Sequence, residues 1–242
     1  MIYEIIRCRY CQSEDLRKNG MRNGRQRCYC KSCKGSFQLG YTHKAYEAGV
    51  KEQIVPMAMN GGGVRDTARV LGINKNTVIA ELKKSAEVCT INPYCQGPEL
   101  DVEIRHELDA SSEVEMDEQW SYVGSKDNPR WLWYAWDRIT GMVRAFVCGR
   151  RPDEVFKAWL GKLDHFNIHR YYTDDWQSYR TYLPSDKRVI SKGETQRIEN
   201  KNLTLRTRIK RLTRKTICFS KSEALHDGVI GMFINKHCFQ PL

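Results

Sequence analysis

"SEVEMDEQWSYVG", residues 112–124, places four carboxylates, Glu113, Glu115, Asp117 and Glu118, within six positions of a 242-residue chain whose formal net charge is +11. Apolar and polar residues alternate here, the period of a strand, so Glu113, Glu115 and Asp117 are expected on one face and Val114, Met116 and Glu118 on the other. Glu113 and Glu115 also read as a solvated acidic approach, and the strand pattern alone leaves all three acids of that face open as candidates. Outward from this strand, 113–122, two more follow at 130–140 and 141–149. A tight turn at Thr140-Gly141 joins them, and three strands so closely linked predict an antiparallel meander.

Beyond the meander, "DEVFKAWLGKLDHF" (153–166) spaces Val155, Ala158, Trp159 and Leu163 as a helix does, and "HRYYTD" (169–174) and "KRVIS" (187–191) read as strands. "ETQRIENKNLTLRTRIKRLTRKT" (194–216) predicts one long helix with an apolar stripe of Ile198, Leu205, Ile209 and Leu212. The order β-β-β-α-β-β-α is that of a ribonuclease H-like core with a short or irregular link between its last strands. The fold class is therefore α/β: a mixed-sheet catalytic domain, 112–242, preceded by two small modules. A linker is expected over 89–111, where Pro93, Gly97, Pro98 and a run of acids interrupt any periodicity.

The first module, 1–42, is rich in cysteine and arginine. Cys8 and Cys11, then Cys30 and Cys33, form two C-x2-C knuckles at zinc-ribbon spacing, each able to aim two thiolates at one tetrahedral Zn²⁺. A Cys28/Cys33 or Cys28/Cys30 choice is also chemically open, although only Cys30 preserves the two-residue knuckle with Cys33. So few large aliphatics leave the segment dependent on metal for its folding free energy. The second module, 43–88, contains "VRDTARVLGINKNTVIAELKK" (64–84). Gly72 supplies a left-handed turn and Asn74 a cap between two amphipathic helices, a helix-turn-helix pattern. Its second helix presents Lys75, Asn76 and Thr77 to a DNA major groove and Lys83 and Lys84 to phosphates. A preceding helix near 46–59 is expected to split at Pro56.

Forty Lys and Arg against 29 Asp and Glu give a pI near 9.2, which favours a polyanionic partner, nucleic acid before an anionic membrane. Neither a signal-peptide core nor an 18-residue apolar run is present in the sequence, so a cytoplasmic, nucleoid-associated protein is expected. Against that basic background, acids fall at three places that a ribonuclease H-like sheet brings to one side. They are the first strand (Glu113, Glu115, Asp117), the end of the fourth strand (Asp174, Asp175) and the last helix (Glu199), with Asp137 on the second strand nearby. Hard oxygen ligands so arranged suit two Mg²⁺ or Mn²⁺ ions about 4 Å apart, the arrangement that cleaves phosphodiesters. Asn202 and Arg206, three and seven residues after Glu199, share its helical face, and Arg206 is placed to hold a phosphate.

Together, "CRYC…CKSC", "MAMNGGGVRDTARVLGINKNTV", "EMDEQWSYVG", "RWLWYAWDRIT", "TDDW", "SKGETQRIENKNLTLRTRIKRLTRKT", "FSKSEALHDGVIG" and "NKHCF" span nearly the whole chain. It resembles the full-length fused transposases of the insertion sequence one family, with zinc ribbon, helix-turn-helix and DDE catalytic domain. That resemblance implies binding to the terminal inverted repeats of an element, metal-dependent strand cleavage and strand transfer into target DNA. It also implies action as a homo-oligomer on DNA. Carried over by position, the acidic triad is Asp117, Asp174 and Glu199, with Arg206 as the following basic residue. Asp175 stands where the family's pattern has glycine, which leaves Asp174 and Asp175 both open, and Cys28 stands at a position more often aromatic. Two rivals remain: a DNA-binding regulator with a decayed catalytic domain, opposed by the intact acids, and a ribonuclease H-like nuclease that cuts without joining.

Overall fold

The computed structural model describes residues 5–40, 43–86, 88–93, 112–150, 153–213 and 215–239. From residue 94 on, the expected linker lies outside the described residues. The chain divides into two compact units, 1–50 and 51–242, so the helical module falls in the same unit as the large sheet.

In the first unit three antiparallel strands, β1 (Leu16–Arg22), β2 (Arg25–Cys30) and β3 (Ser36–Gln38), lie in chain order. Asn23 and Gly24, both at positive φ (51° and 71°), make the two-residue turn that matches the twist of the β1–β2 hairpin. Its small core is Cys8, Cys28, Cys30 and Phe37. Cys28 pairs across the ladder with Phe37 and is buried there.

The second unit opens with α1 (Ile54–Ala58), α2 (Val64–Leu71) and α3 (Lys75–Lys84). Pro56 sits in the first turn of α1, where its missing N–H has no intrahelical partner to lose, and the expected longer helix is broken before it. Gly72 closes α2 at φ 64°, and the Asn74 side chain accepts from the Asn76 N–H at 2.8 Å to start α3.

The sheet of this unit contains β4 (Ser112–Tyr122), β5 (Pro129–Asp137), β6 (Val143–Gly149), β7 (Ile168–Thr173) and β8 (Arg188–Ile190), in the order β6-β5-β4-β7-β8. β4, β5 and β6 form the antiparallel meander, and β7 and β8 add in parallel. Helix α4 (Asp153–Leu163) and the short α5 (Gln177–Tyr182) cover one face. There Val114, Met116, Trp133, Ala145, Phe156, Trp159, Leu163 and Tyr179 form a closed aromatic-rich core. Helix α6 (Gln196–Arg208) lies on the other face, where Tyr134 of β5 donates to the Ile198 carbonyl at 3.1 Å. The final helix is α7 (Glu223–His237).

Two expectations are corrected. The link between β7 and β8 contains α5; its six residues bury only Ser178 and Tyr179, too few to produce a visible stripe. The long helix stops at Arg208 rather than running to 216. The Arg208 carbonyl accepts from the Gly61 N–H at 2.6 Å and its guanidinium donates to the Met59 carbonyl, so tertiary bonds to the turn after α1 cap it early. Ile209 and Leu212 of the expected stripe are still buried, but from an extended residue and a 3-10 turn.

Candidate functional site

Parallel pairing sets the centre of the site. β4 and β7 are registered Val114 to Tyr171 and Glu115 to Tyr172, so two residues further on Asp117 comes level with Asp174, just past the end of β7. Asp174 accepts from the Trp176 N–H at 3.1 Å, which holds its carboxylate at the strand end. Asp175 is turned away into an exposed ion pair with Arg180.

Helix α6 is aimed at this point by a carboxylate from the sheet. Glu115 is fully buried and accepts from the Ile198 N–H at 2.9 Å, satisfying an otherwise uncapped first turn; Thr195 provides no side-chain cap. Arg138 pairs with Glu115 and with Glu194 and lies over the Tyr172 ring, tying the helix entrance to β5 and β7. Burial nevertheless pushes the Glu115 carboxyl up, against the Ile198 amide and the Arg138 charge. Glu115 is therefore not a solvated approach, and Glu113 accepts from the Tyr172 hydroxyl at 3.0 Å. Asp137 also leaves the candidate set: it is buried, accepting from Ser112, Ile139, Thr140 and the Arg144 guanidinium, where it closes the β5–β6 turn.

One turn into the helix, exposed Glu199 faces Asp117 closely enough to act on its charge. Burial, then the neighbouring Asp174 and Glu199 carboxylates, push Asp117 up from 3.8 to about 6, opposed by hydrogen bonds from the Glu118 N–H (2.8 Å) and from Asn202. Asn202 is buried: its amide donates to Asp117 Oδ2 at 2.5 Å while its own oxygen accepts from the Tyr134 hydroxyl at 3.1 Å. Asn202 and Tyr134 had no role assigned from sequence. The only signal was that Asn202 shares the face of Glu199. Arg206, one turn further, is half-buried and within electrostatic reach of Tyr134. Carboxylates offered by β4, the end of β7 and α6 are oxygen donors of the kind a hard divalent cation takes.

In the first unit the Sγ atoms of Cys8, Cys11, Cys30 and Cys33 all lie within 4.8 Å of one another, with Cys8–Cys33 and Cys11–Cys30 at 3.6 Å. Tetrahedral Zn–S bonds of about 2.3 Å require S–S separations of about 3.8 Å, so this cluster fits a zinc site. The Cys33 N–H draws the Cys30 thiol down to about 6, while burial and the neighbouring thiols push Cys11 up to about 12 and Cys33 up, so the four thiols split into two low and two high. On α3, Lys75, Asn76, Lys83 and Lys84 are exposed and Thr77 half-buried, while Val78 and Leu82 anchor the opposite face.

A five-stranded mixed sheet of this order, with acids gathered where β4, β7 and α6 meet, defines a ribonuclease H-like DDE domain. The family profile described as IS1 transposase matches residues 112–240, and that described as InsA C-terminal domain, a helix-turn-helix, matches 41–86. The chain belongs to the IS1 transposase family. It is 56% identical over 125 residues to insertion element iso-IS1n protein InsB of Shigella dysenteriae, covering 52% of this chain and 95% of that relative. Insertion element IS1 protein InsB of Shigella flexneri is 48% identical over 125 residues, 51% of this chain and 95% of its own length. Insertion element IS1 4 protein InsB of Escherichia coli K12 shares 48% over 125 residues, 51% of this chain and 75% of its own. Family and helix-turn-helix together make this a DNA-binding protein of a DNA-modifying enzyme family, and its DDE domain implies use of a divalent metal. Among the described residues, no helix is long and apolar enough to cross a membrane.

Proposed function

We propose that the chain is a transposase that binds the terminal inverted repeats of an insertion sequence, cleaves DNA at the ends and joins them to target DNA. The observation that supports this most is the β4–β7 register that sets Asp174 level with Asp117, on the face where α6 carries Glu199. In this reading Asp117, Asp174 and Glu199 hold two Mg²⁺ or Mn²⁺ ions. Such ions, when bound, activate the attacking oxygen and stabilise the leaving 3′ oxygen. Asn202, held by Tyr134, fixes the rotamer of Asp117 through its amide on Oδ2, while the Glu118 N–H holds Oδ1. Glu115 holds the start of α6 and thereby the position of Glu199. Arg206 steadies a phosphate beside the acids.

DNA is recognised by α3, with Lys75, Asn76 and Thr77 in the major groove and Lys83 and Lys84 on phosphates. Cys8, Cys11, Cys30 and Cys33 bind a structural Zn²⁺ that keeps the arginine-rich ribbon folded. The functional division is ribbon 1–42, helix-turn-helix 43–88, linker 89–111 and catalytic domain 112–242. The enzyme works in the cytoplasm on the nucleoid, as a homo-oligomer that pairs two ends. The test is Asp117→Asn, which is expected to abolish cleavage and leave binding to the element's ends intact; retained cleavage overturns the assignment. A strand-transfer assay with a pre-cleaved end separates transposase from nuclease, since a nuclease does not join.

A further inference from the structure

Beyond Asp117, β4 runs on to Tyr122 after its pairing with β7 has ended at Glu115 and Tyr172. Trp120 and Tyr122 stand on one face of this overhang, two residues apart, with ring centroids separated by 5.5 Å. Phe219 extends the row, 5.3 Å from Tyr122 with 32° between the ring planes. It is pinned there by the Gly124 N–H, which donates to the Ser220 carbonyl at 2.7 Å, and by the bridge between Val123 and Ser220. Trp133 and Trp159 are sealed in the core, whereas these three rings are only half-buried. They line a cleft of about 500 Å³ whose charged lining residues, among the described residues, are Lys126, Arg211 and Lys215, with no carboxylate among them.

Apolar rings with a purely cationic rim match one ligand chemistry. The π-face of a nucleobase stacks on the rings while its phosphates meet the lysines. We infer that this cleft is a stacking site for an unpaired DNA base flanking the cleavage position. Trp120 follows Asp117 by three residues on β4, about 10 Å, so its side chain leaves the opposite face of the strand; the cleft reaches the Asp117 side through Arg211 and Leu212, which follow α6, and nucleotides next to a strand held at Asp117 enter it there, round the strand edge. The inference rests on the reading of Asp117 as part of the cleavage site, and it adds what happens to the DNA there: a base leaves the duplex and is held on Trp120 and Tyr122. The half-exposed rings thereby gain an occupant.

The test uses the full chain and a short duplex carrying a single-stranded overhang with 2-aminopurine, compared with the same duplex blunt-ended. Wild type and Asp117→Asn are expected to quench the probe equally. Trp120→Leu and Tyr122→Leu are expected to bind the overhang about 5- to 100-fold more weakly, the cost of one lost base–aromatic stack, with blunt-duplex affinity unchanged. Trp120→Phe is expected to retain most of the binding. Overhang affinity unchanged in both leucine variants overturns the site, as does an equal loss for overhang and blunt DNA in a folded protein. Should Trp120→Leu not fold, exposed Lys126→Glu decides: it must weaken overhang binding more than blunt binding, and an equal loss overturns the inference. The two readings fail separately. Cleavage retained by Asp117→Asn with quenching intact sinks the catalytic assignment alone, and quenching absent while Asp117→Asn is inactive sinks the stacking site alone.

Discussion

Asp117→Asn is expected to make the protein more stable at neutral pH, as well as inactive. Burial and two neighbouring carboxylates raise Asp117 from 3.8 to about 6, so its ionised form costs the fold on the order of 3 kcal/mol. The native state holds the extra proton between those values, so stability falls as pH rises from about 4 to about 6, and the full loss applies above that range. Asparagine removes the charge at constant size. It also turns its own amide toward the Glu118 N–H or Asn202, and that donor-to-donor contact costs about 1–2 kcal/mol. The net gain is then about 1–2 kcal/mol at pH 7 in EDTA, a rise in Tm of roughly 2–8 °C for a chain of this size. Scanning calorimetry of both proteins at pH 4 and pH 7 measures it, and the difference between them cancels the titrating groups that are not coupled to Asp117. At pH 4 the gain is expected to vanish or reverse. Millimolar Mg²⁺ is expected to raise the wild-type Tm and to leave the variant nearly unmoved, because the charge that binds the cation is gone. A variant less stable than wild type at pH 7 without metal would refute the claim that Asp117 is held in a repulsive, cation-seeking site.

Three further outcomes follow from other parts of the molecule. His226 is buried between Ser121 and Ser220, and burial, with Arg211 and Arg130 nearby, lowers it to about 3. The unfolded chain therefore binds the extra proton, and stability is expected to fall as pH drops from about 6.5 toward 3; His226→Gln should flatten that limb in pH-dependent denaturation. A Cβ at Gly231 meets Val88 at 2.5 Å, whereas one at Gly161 on α4 meets nothing within 4 Å. Gly231→Ala is thus expected to cost about 1–3 kcal/mol and Gly161→Ala to add about 0.5–1 kcal/mol in urea denaturation. Cys30→Ser is expected to release the ribbon's zinc to a colorimetric chelator and to abolish amide protection across β1–β3, while Cys28→Ala keeps the metal and loses only core packing.

Local features were legible before any fold was known. The two cysteine knuckles, the Gly72 turn with its Asn74 cap and the period-two alternation of 112–122 are short-range patterns. Each depends on dihedral preferences or ligand spacing within a few residues, and each lies in the structure where its spacing put it. The hydrophobic period likewise located β4–β8, α4 and the start of α6. Helix α7 escaped because it is buried on most of its circumference, from Val229 through Ile234, so no amphipathic stripe marks it.

Acids, by contrast, look alike in a sequence, and only the tertiary structure sorted them. Glu115 became a buried cap for α6, Asp137 the partner of buried Arg144, and Asp175 the exposed partner of Arg180, while the β4–β7 register brought Asp174 level with Asp117. Cys28 was likewise removed from the metal cluster by its position facing Phe37 across the ladder. A carboxylate's role depends on its burial and on which charges and donors face it, and strand register and helix docking set those through long-range contacts. The sequence by itself determined that this chain carries a cysteine-rich ribbon, a helix-turn-helix and a mixed α/β domain rich in acids at three places. Which of those acids meet, with Asn202 and Tyr134 behind them, was decided by parallel pairing between segments more than fifty residues apart.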